Sequence, residues 1–221
     1  VSYVNELADG SLIISGEHNK WLADETSNGI EAFIAKLDAS GNIIWSKSFS
    51  CKLETCEFPP RFEVNSIAEG KNGNLYIGAS ARSCTSTFIQ LVFKVNNNGN
   101  PIWNTALDHK SGIIETYGVY ELNENEVVVL GKTSNWYYQW ETPASFNFLT
   151  FSTQSGDLLS HKSWAKEGLP DDHFPLDFLP GYGNSVRLEN GHYLIYGLTY
   201  WGFHSSQSPA VPFNIFEFDE N

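Results

Sequence analysis

The chain has 221 residues, 41% apolar and 14% aromatic, with only 18% charged and a formal net charge of −13. So acidic a chain repels polyanions and anionic lipid surfaces, which argues against nucleic-acid binding of the kind that needs clustered Lys and Arg. No apolar run approaches the roughly 18–20 residues that span a bilayer as a helix, and helix-favouring periodic stretches are absent.

Strand and turn signals begin at once. The chain opens without Met on a strand-like segment and with no signal-peptide pattern, which reads as a processed or excised piece. Ala8-Asp9-Gly10-Ser11 turns into the apolar run Leu12-Ile13-Ile14, closed by Gly16. A variable loop over about 17–31 contains Trp21. A third strand then runs through Ala35-Lys36-Leu37 into Asp38-Ala39-Ser40-Gly41-Asn42, and a fourth runs out through Ile43-Ile44-Trp45. Asp-Gly and Asn-Gly between apolar runs predict hairpins, because Gly and Asn adopt positive φ at little cost.

The same order of events returns. After a connector over about 50–63 that holds Cys51 and Cys56, Lys71-Asn72-Gly73-Asn74 leads into Leu75-Tyr76-Ile77-Gly78. A loop over about 79–87 with Cys84 follows, then Phe93-Lys94-Val95-Asn96-Asn97-Asn98-Gly99-Asn100-Pro101-Ile102-Trp103. The third pass has a connector over about 108–115 and the strand Val127-Val128-Val129-Leu130-Gly131. Its loop over about 132–145 carries Trp136-Tyr137-Tyr138-Gln139-Trp140, and Leu149 to Leu159 repeats the turn with Ser160 in place of tryptophan. The fourth pass follows a connector over about 165–182 that includes Asp171-Asp172-His173. It continues through Glu189-Asn190-Gly191-His192, a loop over about 198–212 with Tyr200-Trp201-Gly202-Phe203, and Ile215 to Asn221, where its outermost strand is lacking.

A fixed-period repeat dictates architecture before any other signal. Four antiparallel strands per pass of roughly 50–60 residues fit one blade of a β-propeller. The predicted fold is therefore all-β, with blades at about 1–49, 62–107, 115–164 and an incomplete 182–221. Raw blade faces exceed the apolar patch a soluble monomer tolerates, so either the four blades close on themselves or further sequence supplies more; the stop within the last hairpin turn favours part of a larger propeller.

The phrase Glu31 to Trp45, following Asp9 to Gly16, resembles the bacterial SBBP-type β-propeller repeat of secreted and cell-surface proteins, notably of Bacteroidetes. It is also similar to the Asp…Gly…Trp repeat of quinoprotein-like propellers. The likeness is sharp in the first repeat, fair in the second and weak in the last two. It implies a propeller fold and an extracytoplasmic location. It also implies that Trp45 and Trp103 dock one blade on the next. No quinone-site pattern accompanies it, and no cofactor is expected.

Propeller connectivity puts the short turns on one face and the variable loops on the other. All prolines but Pro101 fall in the variable segments. Variable loops on a rigid frame are where binding evolves. The candidate residues are Trp21, Trp136, Tyr137, Tyr138, Trp140, Tyr200, Trp201 and Phe203. They suit a protein interface, or the stacking of sugar rings, or a mini-core for the loops themselves. The expectation is a non-catalytic protein-interaction or assembly scaffold. A glycan-binding module is the alternative, and a glycoside-active enzyme using two of the many loop carboxylates comes third. Asp171, Asp172 and His173 are a weak metal candidate, since neighbouring side chains in extended chain point apart. Cys51 and Cys56 lie close enough in sequence for a local disulfide in an oxidising compartment; Cys84 on the same predicted face could replace either one, and three plain thiols are the alternative. The expected partner of the aromatic loop face is a protein or the remaining part of a larger chain or complex, or a glycan.

Overall fold

The computed structural model describes residues 3–20, 29–49, 61–82, 88–108, 113–134, 145–165, 185–198 and 213–218. Among these the protein is all-β, with antiparallel pairing in every unit and no helix. The first unit is β1 (Tyr3–Glu6), β2 (Leu12–Lys20), β3 (Gly29–Leu37) and β4 (Ile43–Phe49). The second is β5 (Arg61–Glu69), β6 (Leu75–Arg82), β7 (Phe88–Val95) and β8 (Pro101–Asp108). The third is β9 (Ile113–Glu121), β10 (Glu126–Ser134), β11 (Ser145–Ser152) and β12 (Leu158–Ala165). The fourth shows three strands, β13 (Ser185–Arg187), β14 (Tyr193–Leu198) and β15 (Phe213–Phe218).

Within each unit the strands pair in chain order. The first two units also touch at a single parallel bridge, Ile30 to Arg61. The short turns follow the Asx chemistry that the sequence announces. Asp38 Oδ1 accepts the backbone N–H groups of Ser40 and Asn42 at 2.9 and 2.8 Å, and Asn96 Oδ1 does the same for Asn98 and Asn100 at 3.0 and 2.9 Å. These are hairpin turns with locally satisfied backbone. The Asn42 amide and backbone hydrogen bonds hold the Asp38 carboxyl below its ordinary range.

The core explains why the strands read as continuous apolar runs rather than as alternating ones. On a strand, successive side chains point to opposite faces. In β6, Leu75 and Ile77 enter a cluster with Ile13, Ala32 and Ile34 of the first unit. The intervening Tyr76 enters a different cluster with Val119, Val127 and Val129 of the third. In β10, Val127 and Val129 face the second unit, while Val128 and Leu130 meet Tyr193 and Ile195 of the fourth. The middle units thus bury both faces against neighbours. Full burial of each such Val, Leu or Ile contributes about 1.5–3 kcal/mol.

The connections partly match the expected asymmetry. Turns within β1–β2, β3–β4 and their equivalents are short throughout. On the opposite side, chain stretches 50–60, 135–144, 166–184 and 199–212 are longer. The second unit departs from the expectation: β6 and β7 extend their pairing to Arg82 and Phe88, leaving only 83–87 between them, and β8 and β9 leave only 109–112. Ladder hydrogen bonding claims residues that composition alone had assigned to loops.

Candidate functional site

The best-defined candidate site is the surface by which one unit grips the next. Cross-strand register builds it. Lys36 on β3 lies directly opposite Trp45 on β4, and Lys94 on β7 directly opposite Trp103 on β8. Both pairs reach out of their own unit into the third-to-fourth strand turn of the unit that follows.

Trp45 Nε1 donates to the carbonyl of Asn97 at 2.8 Å, and Lys36 Nζ donates to Asn97 Oδ1 at 2.6 Å. One unit further on, Trp103 Nε1 and Lys94 Nζ both donate to the carbonyl of Thr153, at 3.0 and 2.7 Å. Asn97 and Thr153 each follow the first residue of their turn. The indole rings cover the turn glycines. Gly99 and Gly156 have φ of +74° and +77°, and an added Cβ would stand 2.9 and 2.6 Å from the rings of Trp45 and Trp103. Glycine is needed there twice over, for the backbone and for the ring.

A third element completes each grip. Glu69 ends β5 and accepts the N–H of Ala8 at 2.7 Å through Oε2, while Glu121 ends β9 and accepts that of Lys71 at 2.8 Å. Carboxylate bonds to backbone N–H are among the stronger kinds. Glu121 Oε1 also accepts the Tyr76 hydroxyl at 3.3 Å. Burial, reinforced by that carboxylate, pushes the Tyr76 hydroxyl up to about 12. Burial pushes the neighbouring Lys94 ammonium down, although it lies 5.1 Å over the Tyr76 ring. Asp9 accepts from the Ser11 hydroxyl and, at 2.9 Å, from Lys36, and in that order these hold its carboxyl far below the ordinary range.

The grip changes at the fourth unit. Thr150 and Ser160 replace the Lys and Trp, and Arg187 stands where Glu69 and Glu121 stand. Arg187 NH1 instead donates to the Glu121 carbonyl at 3.1 Å, and the Tyr120 and Ser185 hydroxyls share a 2.8 Å hydrogen bond. Tyr193 fills the interface against Tyr120 and Phe148, at 5.4 and 5.3 Å between ring centroids.

Of the sequence candidates, Trp45 and Trp103 are thus both found bridging neighbouring units. Trp21, Trp136, Tyr137, Tyr138, Trp140, Tyr200, Trp201 and Phe203 lie outside the described residues, as do Asp171, Asp172, His173, Cys51, Cys56 and Cys84. Lys36, Lys94, Glu69 and Glu121 escaped the sequence reading, although the two lysines recur at one position of the repeated phrase. His192 Nδ1 meets Glu217 Oε1 at 2.6 Å on the surface, and His161 Nε2 meets Asn147 Oδ1 at 2.8 Å. Among the described residues no three His, Cys, Asp or Glu side chains gather as metal ligands would.

These contacts define an all-β protein of repeated antiparallel units, the first three joined in series by a Lys–Trp–Glu grip. No family model matches the sequence, and no curated protein does.

Proposed function

We propose that these units are blades of a β-propeller and that the protein is a non-catalytic binding scaffold of the SBBP-type, quinoprotein-like kind, working outside the cytoplasm. One observation carries the reading. Every longer connection leaves from the strand ends opposite the short Asx turns, so variable sequence gathers on one side of a frame clamped by repeated contacts. A rigid frame with variable loops on one side is the arrangement by which repeat folds present a recognition surface. The loops carry Trp136, Tyr137, Tyr138, Trp140, Tyr200 and Trp201, and rigid amphipathic aromatics of this kind anchor protein interfaces. The preferred partner is a protein.

The test is the double variant Trp136→Ala with Trp201→Ala. Its expected outcome is loss of capture of the partner from the native secreted or envelope fraction, with the thermal midpoint unchanged within about 2 °C. A fall of many degrees would assign these aromatics to a loop mini-core instead. Loss of binding on a glycan array, in the same variant, would assign the surface to sugars.

A further inference from the structure

Burial at equivalent repeat positions differs sharply between units. Val4, Ile67 and Val119 occupy the same place on the first strand of their units. Ile67 is 2% exposed and Val119 1%, yet Val4 is 62% exposed. On the second strand, Leu75, Ile77, Val127 and Val129 are fully buried, whereas their counterparts Leu12 and Ile14 are only half-buried. Gly99 and Gly156 are buried beneath indole rings, whereas Gly41, with φ +85°, has nothing within 4 Å of an added Cβ. Glu69 and Glu121 are occupied by turn N–H groups of the preceding unit, and the equivalent Glu6 is exposed.

The first unit therefore carries the whole receiving half of the grip: an apolar face, a bare turn glycine, the Ala39 carbonyl and a terminal carboxylate. Each feature has a filled counterpart in the next two units, and the indole and the backbone N–H fill it the same way both times.

We propose that this face is a docking site for a further repeat unit of the Lys–Trp type, joined ahead of β1 as the first unit is joined ahead of the second. Its tryptophan would lie on Gly41 and donate to the Ala39 carbonyl. Its lysine would reach the same carbonyl, as Lys94 does at Thr153, and its first turn would give an N–H to Glu6. The occupant is specified by the two filled sites and by their polarity, since in both the donor precedes the receiver in the chain. The fourth unit is a poor substitute. It places Glu217 at the lysine position, bringing a carboxylate to a carbonyl, and among the described residues no strand pairing or apolar cluster joins it to the first unit. The inference rests on the interfaces between units and is independent of the loop-side binding reading.

The experiment extends the full chain at its N-terminus with a second copy of residues 1–60 and follows alkylation of Val4→Cys in the original first unit by peptide mass mapping. In the unextended chain the thiol should react at the rate of an exposed cysteine. In the extended chain the rate should fall at least about tenfold, and Trp→Ala at the appended copy of position 45 should restore it. Leu12→Cys provides the same readout should Val4→Cys perturb the edge. Equal rates with and without the appended unit would overturn the proposal. So would protection already present in the unextended chain, which would mean that a second copy or the fourth unit covers the face.

Discussion

Gly41, Gly99 and Gly156 separate two demands that are usually entangled. All three have positive φ, but only the latter two lie under an indole. Gly41→Ala should cost about 1–2 kcal/mol, the price of a left-handed backbone alone. Gly156→Ala should cost a further 1–3 kcal/mol or so, because the new methyl must displace the Trp103 ring. Urea unfolding of the two variants measures the difference. Trp103→Phe keeps most of the ring but removes the donor to Thr153, which should cost about 1–2 kcal/mol, against about 3–5 for Trp103→Ala. Tyr76 gives a pH signature. Its hydroxyl is raised from 10.0 to about 12 in the folded protein. The folded state therefore holds the proton more tightly than the unfolded one, so this stabilisation is complete below pH 10 and is lost as pH rises toward 12. Lys94 acts in the opposite sense: its lowered value makes its own contribution improve as pH rises toward 10.5. Tyr76→Phe should flatten the fall in stability between pH 10 and 12 as read by circular dichroism.

Each strand of a middle unit is read from both sides, and this is where sequence and structure part company. The Asx–Gly turns were legible because their chemistry is local: Asp38, Asn96 and Asn190 each satisfy backbone within a few residues. The two tryptophans were legible because the phrase around them repeats. Lys36 and Lys94 were not, since a lysine in a strand reads as a solvated side chain; both are in fact buried, drawn in by a turn carbonyl or amide that only packing brings near. Glu69 and Glu121 escaped for the same reason. Nor could alternation tell a doubly buried strand from a short apolar run. The contrast between units gives a direct check. Ile67→Ala should destabilise the protein by about 2–5 kcal/mol. Val4→Ala, at the equivalent place on the first unit, should shift stability by no more than about 0.5 kcal/mol.

The molecule as a whole is a series in which each unit completes its neighbour. Among the described residues three apolar clusters link four units, and no unit shows a sealed core of its own. Such a chain propagates stability through its interfaces, so a lesion at one grip is felt by the units on both sides. The connections that would form a recognition surface were legible as variable, aromatic sequence, but their chemistry depends on how loops meet, which periodicity does not encode. The first three units are clamped in series, each to the next, by an indole donating into the following turn. Hydrogen exchange at the Trp103 indole N–H, resolved by NMR in the intact chain, tests this clamp most directly. Exchange should be slowed by about a thousandfold or more relative to free indole, because the proton is released only when the second and third units part. Exchange at the free-indole rate would contradict the clamp.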